Sequence, residues 1–324
     1  MENGLTISND VTVKTAPQTR KRRKSALSGN VWQLHALLLL PMAFLVLFNL
    51  VPIAGLRMAF LESYNYRLGI WGSPWGGLTQ FRYMFTVLPE FWTVFRNTLV
   101  IAVAKLVFGF PVPIAVALLL NEMRSKKTKK AIQTAIYLPY FISWVVMGGI
   151  LKNIFQANGF FDRFLGVFGY TPSTLWLQSN SSFVPILVVS EIWKGFGFGT
   201  IIYLAALTGV DPNLYEAAEI DGANRVKQTL HITLPAMMPV VILNLILNLG
   251  GILNAGFEQI FVLYSQKVYD TADIIDTYVY RLTFGQGTNY PLGTAIGLFK
   301  SVIAFILIGG TNLVLVKKTD YRIF

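Results

Sequence analysis

Residues 37–61 read LLLLPMAFLVLFNLVPIAGLRMAFL, an apolar run in which Arg57 is the only charged residue. At about 1.5 Å per residue, a helix of this length crosses the roughly 30 Å hydrocarbon core of a bilayer. The whole chain has a matching composition, since 54% of its 324 residues are hydrophobic, 13% are charged and the mean hydropathy is +0.53. Soluble domains carry about twice that charged fraction. The sequence therefore predicts a membrane protein and argues against a disordered chain or a soluble enzyme.

Six stretches are long and apolar enough to span the membrane. They are residues 37–61, 94–120, 133–156, 183–208, 236–264 and 291–316. Prolines and glycines interrupt them, which membrane helices tolerate where neighbouring helices cover the freed backbone groups. The predicted fold class is all-α, a polytopic membrane protein with six transmembrane helices.

Charge predicts the orientation of these spans, because Lys and Arg accumulate in loops that stay in the cytoplasm. One side collects Lys14, Arg20, Lys21, Arg22, Arg23, Lys24, Arg124, Lys126, Lys127, Lys129, Lys130, Arg225, Lys227, Lys317, Lys318 and Arg322. The other side holds Arg67, Arg82, Arg163, Lys267 and Arg281. Both termini are therefore expected in the cytoplasm, and the net charge of +11 serves topology and contact with membrane lipid rather than nucleic acid.

This orientation divides the chain into segments. They are a cytoplasmic basic N-terminal tail (1–30), the first transmembrane helix with an external loop (31–93), the transmembrane core (94–316) and a cytoplasmic C-terminal tail (317–324). A cytoplasmic loop, residues 209–235, lies within the core.

The usual parts of catalytic sites are missing from the sequence. It has no cysteine, and it has no G-x-x-x-x-G-K-[ST] loop that could cradle the phosphates of ATP. Its two histidines, His35 and His231, fall at the predicted cytoplasmic rim, so a histidine-ligated metal or a histidine base within the bilayer is not expected. We predict no catalysis, metal or cofactor in this chain, and an energy source in a partner or an ion gradient.

Charged residues inside the spans are costly to bury, at least about 3 kcal/mol near the bilayer centre. Lys105 and Lys300 fall near the middles of their helices, and they are the two cations that could contact a carboxylate of a substrate. Glu191 and Lys194 are three residues apart on one helix, so they could neutralise each other or contact a substrate.

The fifth span carries small and polar residues at helical spacing. Asn244, Asn248, Gly251, Ala255 and Glu258 recur at intervals of four or three, which places them on one face of a continuous helix. In hydrocarbon such a face must point at other helices or at water. It is therefore either a packing surface or the lining of a path through the membrane.

The cytoplasmic loop contains the segment DPNLYEAAEIDGANRVKQTLHITLP, residues 211–235. Asp211 can cap a helix that begins at Pro212, whose fixed φ suits the first helical position. Gly222 supplies a break, and a second helical stretch follows it and ends before Pro235. This pattern predicts two short helices that form either a docking site for another protein or an amphipathic surface on the membrane.

The same loop resembles a known family motif. The residues concerned are Glu216, Ala217, Ala218, Asp221, Gly222, Ala223, Ile232, Leu234, Pro235 and Pro239. Their types and spacing resemble the EAA loop of the integral membrane (permease) subunits of binding-protein-dependent ABC importers. In that family the loop forms coupling helices that sit in a groove of the ATPase subunit.

Other short motifs are similar to the carbohydrate branch of that family. They are Asn97-Thr98-Leu99, Tyr137-Leu138-Pro139 and Gly293-Thr294-Ala295-Ile296-Gly297. The plan of one leading helix and a core of five is similar too. The whole sequence looks most like subunits that import oligosaccharides from complex polysaccharides, including acidic ones such as alginate or pectin fragments.

The resemblance implies a bacterial cytoplasmic (inner) membrane protein that forms half of a channel. Its expected partners are a second permease subunit, commonly a different chain, two ATPase subunits that bind ATP and Mg, an extracytoplasmic solute-binding protein and a carbohydrate substrate. Alternating access would follow from ATP-driven movement of the loop. The external loops 62–93 and 157–182 would meet the binding protein. The candidate translocation path is Asn244, Asn248, Gly251, Glu258, Trp193, Lys105 and Lys300.

Two other functions remain open from the residues alone. An ion-coupled secondary transporter would use intramembrane carboxylates, for which Glu191 and Glu258 qualify. A membrane enzyme that transfers lipid-linked sugars would need paired acids or a metal cluster at the bilayer surface, and the sequence shows neither.

Overall fold

The computed structural model describes residues 31–170, 175–285 and 288–318. The predicted tail 1–30 and all but the first two residues of the predicted tail 317–324 lie outside this description. The chain divides into two compact units, residues 1–54 and residues 55–324. In the first unit, the described backbone is helical throughout and passes Pro41 without ending.

The described secondary structure is helical, apart from one isolated bridge between Leu61 and Trp75. The α-helices are α1 Val31–Leu45, α2 Gly69–Gly72, α3 Thr79–Thr86, α4 Pro89–Gly109, α5 Pro111–Asn121, α6 Lys126–Tyr137, α7 Trp144–Phe155, α8 Phe160–Val167, α9 Asn180–Leu207, α10 Pro212–Ile220, α11 Arg225–Gln228, α12 Leu234–Gly250, α13 Phe257–Leu263, α14 Tyr269–Ala272, α15 Ile275–Phe284 and α16 Tyr290–Lys318. Short 3₁₀ segments are Val51–Phe60, Leu138–Phe141, Trp176–Gln178, Ile252–Asn254 and Gln266–Val268, and π turns are Val46–Leu50 and Thr229–Thr233. The all-α prediction is confirmed.

Five helical stretches of the described chain are long and apolar enough to cross a membrane. They are His35–Phe60, Pro89–Asn121, Asn180–Leu207, Arg225–Gly250 and Tyr290–Leu313. A sixth span is present if the bent pair Lys126–Phe141 and Trp144–Val167 is one crossing. The number of spans therefore agrees with the predicted six when the bent pair is included.

The third predicted span, 133–156, is not the continuous helix that its hydropathy suggested. The chain turns by 97° between Phe141 and Trp144. Pro139 lies in a 3₁₀ turn, and the Ser143 hydroxyl then accepts a hydrogen bond from the Val146 N–H at 3.3 Å, which caps a new helix. A proline followed by a capping serine ends one helix and begins another.

The fifth predicted span, 236–264, is also wrong as a single helix, because α12 ends at Gly250. Ala255 and Gly256 follow in the left-handed region, with φ of 48° and 88°. The helix α13 begins only at Phe257. The predicted face from Asn244 to Glu258 is therefore split, and Glu258 does not continue the row of Asn244 and Asn248.

The core of the second unit consists of three apolar clusters. One joins α4, α7, α9 and α13, with Phe183 and Met147 fully buried. A second joins α3, α4, α15 and α16 around Phe91. The third joins α5, α9 and α12 around Tyr203 and Met237. Because α4 and α9 each belong to two clusters, they form the framework on which the other helices pack.

The motif residues Asn97 and Thr98 hold the segment 269–275 against α4. The Asn97 amide donates to the backbone oxygen of Asp270 at 3.0 Å, and the Thr98 hydroxyl accepts from the Ile275 N–H at 2.9 Å. Both side chains are buried. They satisfy backbone groups that would otherwise be costly to bury.

Candidate functional site

The loop predicted to be cytoplasmic, residues 209–235, folds as a short helix, α10, and a second helix that begins at Arg225 beyond Gly222. The prediction that this second helix ends before Pro235 is wrong, because α11 continues through the π turn into α12. The Asp211 carboxylate accepts from the Asn213 N–H at 3.0 Å at the start of α10, and Asn224 caps α11 through the Lys227 N–H at 2.9 Å. Gly222 ends α10 with a φ of 73°. A side chain at that φ is strained, so glycine is the residue that the turn requires.

The outer surface of these two helices carries exposed aliphatic side chains among charged and polar ones. Ile220 is 88% exposed, and Leu214 and Val226 are also largely accessible. Glu216 and Ala217 lie on the exposed side of α10, whereas Ala218 is half-buried. Exposed aliphatic side chains on a short projecting pair of helices are typical of a protein-binding surface. We call α10, the turn at Gly222 and α11 (residues 212–228) the knob.

The inner side of the loop is hydrogen-bonded to the residue that precedes α12. The Tyr215 and Thr233 hydroxyls are 2.9 Å apart, and the Gln228 amide donates to the Ala223 backbone oxygen at 3.1 Å. An ion pair of 3.1 Å joins Glu219 to Arg225 across the glycine turn, although both side chains are exposed. The knob is thus tied to a membrane helix.

The remaining loop residues lead into the fifth span. Ile232 lies in the π turn Thr229–Thr233, and Leu234 and Pro235 open α12. A movement of the knob would therefore pass directly into α12.

Within the second unit, a cavity of about 630 Å³ lies among α4, α5, α9, α12 and the break after α12. Four residues of the predicted path line it: Lys105, Asn244, Asn248 and Gly251. Glu258 lines instead a neighbouring pocket of about 420 Å³ beside the bend of the third span. Trp193 and Lys300 line neither of these two pockets.

The amides on α12 and one tyrosine form a polar row along the larger cavity. The Asn244 amide donates to the Tyr203 hydroxyl at 2.7 Å. The Asn248 amide donates to the Asn244 side-chain oxygen at 3.1 Å and to its backbone oxygen at 2.8 Å. Each amide keeps further donor or acceptor capacity, so this row can hydrogen-bond hydroxyl groups.

Lys105 is engaged by protein groups on two sides. Its ammonium lies 3.3 Å from the Glu191 carboxylate and donates to the Ala255 backbone oxygen at 2.8 Å, and it also contacts the Gln259 side-chain oxygen. The idea that Glu191 and Lys194 neutralise each other is wrong in this structure, because Glu191 pairs with Lys105 on another helix.

Lys194 turns away from Glu191 toward the bend of the third span. Its ammonium donates to the Tyr140 backbone oxygen at 2.8 Å and lies 5.4 Å from the centre of the Trp144 ring. Tyr140 itself stacks on Phe198 with ring centres 4.0 Å apart. This lysine therefore stabilises the carbonyl end of the short 3₁₀ turn.

Lys300 has its own carboxylate partner, which the sequence did not reveal. Its ammonium lies 2.7 and 2.8 Å from the two Asp276 oxygens and donates to the Asn254 side-chain oxygen at 2.9 Å. Asp276 stands in α15, outside every predicted span, so no spacing rule along one helix could connect it to Lys300.

Gln259 was also missed by the sequence reasoning. It is fully buried, and its amide donates to the Leu187 backbone oxygen at 2.8 Å and to the Ser190 hydroxyl at 2.9 Å. An uncharged amide inside an apolar run was the available signal. The neighbouring Glu258 fitted the assumed continuous face better, and that face does not exist.

In the described part of the chain, no three His, Cys, Asp or Glu side chains come together as a metal site. The candidate site consists of the knob, the larger cavity and the break in the fifth span.

Comparison with known proteins matches residues 109–315 to the family described as "Binding-protein-dependent transport system inner membrane component". Protein LplB of Bacillus subtilis (strain 168) is 41% identical over 298 residues, covering 91% of this chain and 92% of that protein. The polygalacturonan/rhamnogalacturonan transport system permease protein YteP of the same organism is 40% identical over 291 residues, covering 89% and 90%.

The fold also matches a solved structure of a bacterial alginate ABC transporter in complex with an alginate pentasaccharide-bound periplasmic protein. The TM-score is 0.83 at 36% sequence identity, and the match covers 92% of this chain and 98% of that one. The matched region extends from the end of α4 to α16, so it includes the knob and all of the cavity lining except Ala102, Lys105 and Leu106 on α4.

Proposed function

The chain belongs to the family of binding-protein-dependent transport system inner membrane components, and we propose that it is the permease subunit of an ATP-driven importer of carbohydrate, with oligosaccharides as its substrates. The observation that carries this proposal is the knob of α10 and α11, which exposes Leu214, Ile220 and Val226, turns at Gly222 and is continuous with α12. The names of YteP and of the alginate transporter support the substrate class.

Coupling to an ATPase subunit is the role of the knob in this proposal. Glu216 anchors it by charge, Ala217 and Ala218 permit close approach, and Gly222 sets the angle between the two helices. ATP and Mg bind in the partner subunits. When two ATPase subunits close on ATP, the knob is displaced and carries α12 with it.

The larger cavity is the section of the path that this chain supplies. The amide row of Asn244 and Asn248 bonds sugar hydroxyls, and Gly251 leaves room for the chain of sugars. Because Lys105 and Lys300 already have carboxylate partners, an acidic sugar would have to compete with Glu191 or Asp276 for them. Binding in this section therefore depends on hydroxyl contacts more than on net charge.

The assembly consists of this chain, a second permease, two ATPase subunits and an extracytoplasmic solute-binding protein in the inner membrane, with both termini of this chain in the cytoplasm. The candidate spans and the clustering of Lys and Arg in the loops support this orientation. The external segments would meet the binding protein.

Replacement of Gly222 by Val tests the coupling role. A β-branched residue is strained at a φ of 73° and tilts the two short helices. We expect uptake of labelled oligosaccharide in cells to fall about tenfold or more, the effect of roughly 1.4 kcal/mol in coupling, while the complex still assembles.

Gly209→Val is the matched control, because Gly209 lies in the same loop without a left-handed φ. Uptake through this variant should stay close to that of the unchanged protein. Unchanged uptake through Gly222→Val would contradict the coupling role of the knob.

A further inference from the structure

We propose that Lys105 and Lys300 are positioning residues that clamp the break in the fifth span, residues 251–256, and that release of Lys105 lets α13 move relative to α12 during transport. The inference rests on the proposed transport function and adds to it a hinge and the residue that controls this hinge. It follows from the contacts of the two lysines, the backbone of the break and the position of the cavity.

The two lysines reach the break from different helices. Lys105 on α4 donates to the backbone oxygen of Ala255 at 2.8 Å, and Lys300 on α16 donates to the side chain of Asn254 at 2.9 Å. The two lysines thus bind adjacent residues of one short segment. Without Lys105, the Ala255 carbonyl beyond α12 would lose its side-chain donor inside the membrane.

Each lysine is also neutralised by a carboxylate on yet another helix, Glu191 on α9 and Asp276 on α15. The lysine side chains are only 12% and 17% exposed. Separating a charge from its partners in such surroundings is costly, so the break is held in one position until something supplies the energy to change it.

The backbone of the break allows a hinge. The backbones of Ala255 and Gly256 are both in the left-handed region. A Cβ at position 256 would meet the Lys105 ammonium, so glycine leaves space for it. Strained residues persist where surrounding contacts hold them and often mark elements that switch. Here Lys105 supplies one of those contacts directly, through the Ala255 carbonyl.

The two lysines differ in whether a molecule in the larger cavity can reach them. Lys105 lines the large cavity and Lys300 does not. A sugar hydroxyl or carboxylate in the cavity can therefore replace a partner of Lys105, whereas Lys300 stays bound to Asp276. This difference makes Lys105 the releasable clamp and Lys300 the fixed one.

Two variants test the role of Lys105 in the complete reconstituted complex. Lys105→Met combined with Glu191→Gln removes both charges together, so that the carboxylate is not left without its cation. Gly256→Ala keeps both charges, displaces the ammonium and strains the backbone at a φ of 88°. Lys152→Met is the matched control, since Lys152 is exposed on α7 and outside both pockets.

The measured quantity is the amount of oligosaccharide transported per ATP hydrolysed. We expect both test variants to lower this ratio on the order of tenfold, the effect of losing one charge-assisted hydrogen bond, while the complex still assembles. Lys152→Met should keep the ratio. If the double variant fails to assemble, Gly256→Ala decides. A normal ratio in the test variants would overturn the proposal.

Spin labels report the hinge itself, because the chain has no native cysteine. The labels would be attached in the double substitution Leu247→Cys on α12 and Gln266→Cys beyond α13. In the complex with Lys105 and Glu191 intact, we expect one distance between the labels without nucleotide and a different distance after vanadate trapping. With Lys105→Met and Glu191→Gln, we expect both distances to be present already without nucleotide. A single unchanged distance in all samples overturns the hinge. Absence of stimulated ATPase in the unchanged complex would instead contradict the proposed function.

Discussion

At the scale of single residues, Ala255 is the position where backbone strain is most evident. Its φ of 48° places a Cβ in the left-handed region, at a cost of about 1–2 kcal/mol that glycine avoids. Ala255→Gly should therefore raise the melting temperature of the detergent-solubilised complex by a few degrees, although the extra freedom of glycine in the unfolded chain reduces the gain. Differential scanning fluorimetry measures it, with Ala223→Gly as the control at a residue without positive φ. A lower melting temperature would contradict the strain.

At the scale of elements, an ion pair fixes α15 to the segment before it. The Arg281 guanidinium lies 2.7 and 2.6 Å from the two oxygens of Asp273, a carboxylate that is only 4% exposed. Burial lowers the pKa of Arg281, but the hydrogen bonds and charge of Asp273 outweigh it and raise that pKa above its ordinary value. The arginine therefore stays charged at every pH of interest, and loss of the carboxylate leaves it without its partner.

Asp273→Asn should lower the stability of the folded chain by about 3 kcal/mol. The loss would appear as a lower melting temperature and poorer recovery of monodisperse protein. Asp270→Asn is the control, because Asp270 is exposed and contributes only its backbone oxygen to the contacts described. Equal stability of the two variants would show that the ion pair contributes little.

Elements that depend on local chemistry could be predicted from the sequence. Asp211, Pro212 and Gly222 determine the two helices of the knob through caps and a turn, and the structure has them. The breaks in the third and fifth spans could not be predicted from hydropathy, because apolar composition does not distinguish a bent helix from a straight one. The partners of Lys105 and Lys300 lie on other helices, so only the packed fold brings them together.

At the scale of the whole molecule, α12 joins the knob to the larger cavity. Leu234 and Pro235 begin α12 directly after the knob, and Asn244 and Asn248 line the cavity farther along the same helix. One helix thus connects the two sites, and the break after Gly250 separates it from α13. Under the proposed function, ATP hydrolysis in a partner subunit would change the shape of the path through this connection.

The most direct test of this account is the ATPase activity of the complex purified through a tag on this chain and placed in proteoliposomes. We predict that ATPase subunits co-purify with this chain. A solute-binding protein loaded with oligosaccharide should stimulate ATP hydrolysis several-fold over the unloaded protein. If no ATPase co-purifies and a protonophore abolishes uptake while ATP is maintained, the ATP-driven importer function is contradicted and an ion-coupled transporter is favoured.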